Sequence, residues 1–262
     1  MTQEHAQTEG GYPKPGKLEM IWGEGFMSPG GPDEVVRIIA DHDLSGCSVL
    51  DIGSGLGGAA IVLHQRCGAA SVTGFDVQAL LVDSARERAR ALGLTDRLRF
   101  VLGTPGPLPF ESSSFDAVFS KDAIIHVADK SAIYGEMARL LRPEGRIFIG
   151  DWLTSDGRGH GPLMDRFMEL AGHDFHLASL AEVGAIVSAT GFTDVELIDR
   201  GDWYLVEAIA ERERLRGELG KAFENRWGFD AYRDELNFWE TLVEAVAEGV
   251  VRPGHVRARK RF

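Results

Sequence analysis

The stretch Val49-Leu50-Asp51-Ile52-Gly53-Ser54-Gly55-Leu56-Gly57-Gly58 constrains the fold more than any other part of this chain. An apolar run with an acid inside it stops at a cluster of glycines, and a helical pattern opens directly afterwards. A buried parallel strand ends this way when its loop must lie against a nucleotide-like ligand. Glycines let the backbone approach closely and take positive φ, and the following helix offers free N–H groups. Gly53, Gly55 and Gly58 satisfy G-x-G-x-x-G, a pattern that several cofactors share and that is weak on its own.

Around this loop, short apolar runs alternate with helical patterns. Strands are expected over 48–52, 70–76, 98–102, 115–120 and 146–151, with helices over 59–66, 79–92 and 131–141. Gly30-Gly31-Pro32-Asp33 opens an earlier helix, and Arg142-Pro143-Glu144-Gly145 reads as a turn into the fifth strand. Near-continuous apolar strands separated by helices predict an α/β fold with a doubly wound, mostly parallel sheet. Beyond Asp151 the pattern changes. Residues 155–178 read as mostly helical, Ser179-Leu180-Ala181-Glu182 is a capping box, and 193–198 a sixth strand. Charged helices over about 203–223 and 230–248 follow, and 255–262 forms a closing strand, seven in all.

Composition narrows the class. The chain has 262 residues, 44% of them hydrophobic and 26% charged, enough for one elaborated core. A net charge of −12 speaks against a nucleic-acid surface, which needs clustered positive charge. The one basic run, Arg257-Ala258-Arg259-Lys260-Arg261, reads as a solvated or substrate-side end. No signal core and no run of about 18 apolar residues is present, so no membrane partner and a cytoplasmic location are expected. Cys47 and Cys67 match no metal or redox spacing and read as buried reduced thiols; no metal centre is expected. Residues 1–17, polar and rich in glycine and proline, read as a mobile arm.

Two acids separate the possible cofactors. Asp76, ending the second strand, is placed to accept from ribose hydroxyls, which serves NAD and S-adenosylmethionine alike. Asp51, just before the first glycine, would oppose a pyrophosphate but suits a ligand carrying a positive sulfonium and ammonium. Two further blocks accompany the loop: Leu108-Pro109-Phe110-Glu111-Ser112-Ser113-Ser114-Phe115-Asp116 before the fourth strand, and Leu140-Leu141-Arg142-Pro143-Glu144-Gly145 before the fifth. As a set, over roughly residues 33–200, they resemble the class I S-adenosylmethionine-dependent methyltransferases. The resemblance implies a Rossmann-like sheet with helical lid insertions and S-adenosylmethionine as cofactor. It implies that Gly53, Ser54 and Gly55 hold the methionine part, and Asp76 with Val77 the ribose and adenine edge. Where that family commonly has an acid after the third strand, this chain has Thr104, followed by Pro105.

A finer likeness lies in Ile21-Trp22-Gly23-Glu24-Gly25-Phe26-Met27-Ser28-Pro29-Gly30-Gly31 and Ser120-Lys121-Asp122-Ala123-Ile124-Ile125-His126. Both blocks are similar to those of phosphoethanolamine N-methyltransferases and related small-amine methyltransferases. The likeness implies that Met27 and Ser28 cover the cofactor, with Ser120 beside it, and that Trp22 lines the site. It also implies that Tyr12 and His126 form a lid-and-base pair. An ammonium acceptor must lose a proton before it attacks, and histidine has a suitable intrinsic pKa. Asp122, one helical turn earlier, would orient the ring or bind a cation. Lys121 is either an anion contact or a solvated side chain. Asp151, His173 and Phe175 are expected on the acceptor side, where Phe175 and Asp174 speak against a phosphate-bearing acceptor.

Four segments follow from this reading: an arm and lid over 1–32, a cofactor-binding core over 33–154, a helical acceptor-site insertion over 155–192, and a completion of the sheet over 193–262. The expected partner is a small polar amine or amino acid, and the expected assembly a monomer or homodimer. Four alternatives stay open: S-methylation of a thioether such as methionine, which needs no base; N-methylation of phosphoethanolamine; an NAD-dependent oxidoreductase; and a non-catalytic cofactor-binding module.

Overall fold

A computed structural model describes residues 15–156, 158–172 and 175–261. Its centre is a seven-stranded sheet of order β3-β2-β1-β4-β5-β7-β6. The strands are β1 (Ser48–Ile52), β2 (Ser71–Asp76), β3 (Leu98–Leu102), β4 (Phe115–Lys121), β5 (Leu141–Asp151), β6 (Phe192–Asp199) and β7 (Gly254–Lys260). β1 to β5 pair in parallel, and β7 runs antiparallel to both β5 and β6. Strand order reverses between β1 and β4, so the crevice outside their carboxyl ends is the natural ligand position.

Alternate residues of one strand enter opposite faces, which is why the central strands are apolar throughout. Leu50 and Ile52 join Val118, Ile147 and Ile149 in one core, packed on α5 (Lys130–Leu140) and α7 (Leu180–Ala189). Val49 joins Ala117, Phe119 and Phe148 in the other, covered by α2 (Gly31–Ile39), α3 (Gly58–Gln65) and α4 (Ala79–Ala91). Full burial of side chains such as Leu50, Val118 or Phe119 contributes about 1.5–3 kcal/mol each. A third core lies above the carboxyl edge of the sheet. Ile21 of α1 (Pro15–Trp22), Ile125, Trp152, and Phe167 of α6 (Pro162–Ala171) meet there. Opposite them stand Tyr204 of α8 (Gly201–Arg216), Phe223 of α9 (Glu218–Trp227) and Trp239 of α10 (Phe229–Ala247).

Several local expectations are corrected. The Arg142–Gly145 turn lies inside β5 as a bulge: Leu141 pairs with Phe115, the next pair is Arg146 with Ala117, and Glu144 takes a φ of 67°. Within 155–178 the described helix is α6 alone, and the long charged helix breaks at Gly217 into α8 and α9. The basic run is not a solvated tail but most of β7, a strand flanked on both sides. Its charges are neutralised locally: Arg257 donates to the Ile38 and Arg37 carbonyls and pairs with Glu196, while Arg259 pairs with Asp194 and Glu144. Cys47 and Cys67 are free but only partly buried. A helix begins at Pro15, inside the segment expected to be an arm. No described helix is long and apolar enough to cross a membrane.

Candidate active site

One cavity of about 1290 Å³ opens at the carboxyl ends of β1, β2 and β4 and runs beneath α1, α6 and α10. That exceeds the roughly 300–1,000 Å³ of a pocket for one drug-sized ligand, so it has room for two.

Its inner end is the glycine loop. Gly53 N–H and Ser54 N–H both donate to the Phe75 carbonyl, and Gly55 N–H donates to Asp76 Oδ2 at 2.9 Å. Gln78 N–H donates to the other oxygen of Asp76, also at 2.9 Å. Burial pushes the Asp76 carboxyl up, against the pull of these N–H groups. Two glycines here are sterically required. A Cβ on Gly53, which has a φ of 74°, would lie 2.2 Å from Ala123 Cβ, and one on Gly58 would lie 2.4 Å from the Gly25 carbonyl oxygen. The loop therefore touches both the 22–28 segment and the turn after β4. Arg88 of α4 ties the loop to the 22–28 segment, donating to the Leu56 carbonyl and to Glu19, which also accepts from Gly25 N–H.

Asp51 lines this end at 1% exposure. Burial, and secondarily the charge of Asp76, pushes its carboxyl up to about 8. Asp51 Oδ2 and Ser54 Oγ are both buried without a hydrogen-bond partner among the described residues. A buried acceptor left unsatisfied is costly, and a cationic ligand with hydrogen-bond donors would supply what both atoms lack. The residues present fit the sulfonium-bearing cofactor that the sequence implies.

The middle of the cavity is the turn after β4. Asp122 takes a φ of 53° and its N–H donates to the Gly150 carbonyl, so it does not sit one helical turn before His126; only Ile124–His126 form a short 3₁₀ turn. Its carboxylate is held by Lys121 Nζ at 2.5 Å, and the same ammonium donates to Ser28 Oγ at 2.6 Å. The Lys121 side chain is thus buried and paired rather than solvated. It bridges the lid segment to the turn. Lys130, 7% exposed, donates from Nζ to the Ile124 and Val127 carbonyls, and His176 N–H donates to the Ile125 carbonyl. These bonds fix the turn that carries His126, whose half-buried ring stands 5.4 Å from the Phe175 ring. Near Lys130, burial and the charge of Asp122 raise the Asp151 carboxyl.

Trp22, Met27, Ser28, Asp51, Gly53, Ser54, Gly55, Asp76, Val77, Thr104, Pro105, Lys121, Asp122, His126 and Phe175 all line this cavity. Trp22 is oriented by its indole N–H, which donates to Glu211 at 2.8 Å. Two candidates do not line it. Ser120 is fully buried and donates to the Ile52 carbonyl, clamping β4 to β1. Asp151 lies behind the turn on a separate space of about 20 Å³, enough for one water, beside Glu34, Asp122 and His255. Tyr12 and His173 fall outside the described residues. The sequence reading missed Lys17, Phe167, Trp227, Glu235 and Phe238 on the far wall. Their signal is faint: one face of a helix that is amphipathic anyway.

A family model described as a methyltransferase domain matches residues 43–182. Phosphoethanolamine N-methyltransferase 1 of Arabidopsis thaliana is 27% identical over 93% of this chain and 48% of its own length. The phosphoethanolamine N-methyltransferase of Plasmodium falciparum is 29% identical over 92% of this chain and 90% of its own. The chain spans about half the length of most of the curated relatives it matches. Among solved structures, phosphoethanolamine N-methyltransferase 2 of Haemonchus contortus, in complex with phosphomonomethylethanolamine and S-adenosylhomocysteine, superposes with a TM-score of 0.84. It is 27% identical, covering 94% of this chain and 56% of that one.

Proposed function

The chain belongs to the class I S-adenosylmethionine-dependent methyltransferases, and on that footing we propose that it methylates the nitrogen of a small amine with His126 as the base. One observation carries the reading: a single cavity joins the Asp51 carboxyl, whose buried Oδ2 has no partner among the described residues, to the His126 ring.

In this reading Asp51, Ser54 and the N–H groups of the glycine loop face the methionine part of the cofactor, and Asp76 its ribose, with Val77, Thr104 and Pro105 along the adenine. When bound, S-adenosylmethionine supplies an activated methyl group on a positive sulfonium. The protein then has three tasks. It aligns the acceptor, it keeps water out beneath Trp22 and Met27, and it removes a proton. Alignment and desolvation can contribute several kcal/mol. The proton would pass from the acceptor ammonium to a His126 ring nitrogen, freeing the lone pair that takes up the methyl group as its bond to sulfur breaks and that bond's electron pair stays on sulfur. Asp122, fixed by Lys121, places a carboxylate near the incoming cation.

Phosphoethanolamine is the acceptor in the relatives' names and is the second reading they favour. The test is methyl transfer from labelled S-adenosylmethionine to a panel of amines across pH. His126→Ala is expected to lower kcat by about 10²–10⁴-fold, the usual contribution of a general base. It should also remove the rise in rate with pH. A flat pH profile with little loss in the variant would point to an acceptor without a proton to lose, such as a thioether.

A further inference from the structure

Beyond His126 the cavity wall is built from rings. Phe175 stands 5.4 Å from His126, and Phe167 stands 5.6 Å from Phe175. Phe238 of α10 lies 5.8 Å from Phe167 on one side, and Trp152 stacks on Phe167 at 6.2 Å on the other. All four line the cavity, so an aromatic row leads away from the proposed base toward α10.

The charges along this wall are acidic. Glu235, half-buried, lines it and takes the Trp239 indole N–H at 3.3 Å, and burial pushes its carboxyl up. Asp230 and Asp234 stand at the rim, both paired with Arg233. Among the described lining residues the only cations are Lys17 and Lys121, and there is no arginine. Lys121 is committed to Ser28 and Asp122, and Lys17 lies over the Phe223 ring at 5.4 Å, within the field of Glu235. Phosphate recognition calls for guanidinium forks or several uncommitted cations. A dianion here would face Glu235 and the negative faces of rings. A cation would be attracted by both, and an apolar body would fill the row.

We propose that the acceptor is an amine carried on an apolar, aromatic-sized body with no phosphate, selected by the row Phe175–Phe167–Phe238 together with Glu235. This rests on the amine N-methylation reading and narrows it.

The test compares phenethylamine, ethanolamine and phosphoethanolamine as acceptors. It also uses phenethyltrimethylammonium, which cannot be methylated, as a binding probe in the presence of S-adenosylhomocysteine. Phenethylamine should exceed the other two in kcat/KM by about tenfold or more, the discrimination an apolar pocket supplies. The quaternary probe should bind, and Phe238→Leu should weaken it by about tenfold with S-adenosylhomocysteine affinity unchanged. Phe175→Ala is the second variant, should the first fail to fold. Preference for phosphoethanolamine, or equal turnover of ethanolamine and phenethylamine, overturns this inference and leaves the amine reading intact. Transfer to none of the amines, with cofactor bound, overturns the amine reading itself.

Discussion

Asp51, 1% exposed and with Oδ2 unpartnered among the described residues, is the residue on which the proposed cofactor site turns. With no cation beside it, burial holds its carboxyl near 8 instead of the ordinary 3.8. An acid raised on folding favours the folded state fully below its unfolded pKa, and that contribution is lost as pH climbs to the folded value. The ligand-free protein should therefore lose stability between about pH 4 and 8 through this residue. Asp51→Asn should raise the ligand-free Tm at pH 8 and leave it nearly unchanged at pH 4. The same variant should bind S-adenosylmethionine more weakly by about 1.5–3 kcal/mol, the range for a charged hydrogen bond. Calorimetric titration and melting curves at the two pH values check both halves. An unchanged affinity would place the sulfonium end elsewhere. Ser54 shares the same corner, and its unpartnered hydroxyl is the second acceptor or donor a ligand can engage.

At the scale of elements, the turn after β4 is held from beneath by α5. Lys130 begins that helix, and its buried ammonium donates to two carbonyls of the turn that carries His126. Lys130→Met should take a charged donor from both carbonyls, leaving the Ile124 carbonyl only the Val127 N–H, and destabilise the fold by about 1–3 kcal/mol. If His126 is the base proposed above, the same substitution should also lower kcat more than it raises KM, because His126 loses its placement while the glycine loop stays whole. Urea unfolding with steady-state kinetics distinguishes this from simple destabilisation. A second strut stands behind the site: Glu34 of α2 accepts from His255 of β7 and from Arg200 Nε and Nη2. Burial alone would raise Glu34, but these partners hold it down at about 2. Its stabilising contribution is thus present above about pH 4.5 and lost only as pH falls toward 2. The capping box at Ser179 was legible in advance because it is local: Ser179 and Glu182 exchange both bonds within one turn. The Arg142–Gly145 bulge was not, because a turn and a bulge share the same residues and only the register against β4 separates them.

Taken whole, the molecule places a helical third core over the open edge of the sheet, and the cavity lies between the two. Any ligand that bridges sheet and cap stabilises both at once. Saturation with S-adenosylmethionine at 100 times its Kd should add about 2.7 kcal/mol to the unfolding free energy. NAD at equal concentration should add nothing measurable. Equal stabilisation by NAD, seen as the same shift in Tm, would contradict the cofactor assignment.

The sequence by itself determined the sheet, the glycine loop and the cofactor class. Those are written in short windows: apolar runs end in glycines, and Asp51 precedes them at a spacing that the strand preserves. That Asp76 and His126 line the cavity was legible for the same reason, since each closes a strand or follows one at the carboxyl edge of the sheet. The tertiary structure alone decided what forms the far wall of the cavity. Phe167, Glu235 and Phe238 come from helices far along the chain, and nothing in a helix's own periodicity says which face will turn toward His126. It also decided what Lys121 and Ser120 do, one bridging Ser28 to Asp122 and the other clamping β4 to β1. A cofactor loop is made by neighbours in sequence, whereas an acceptor pocket is made by neighbours in space.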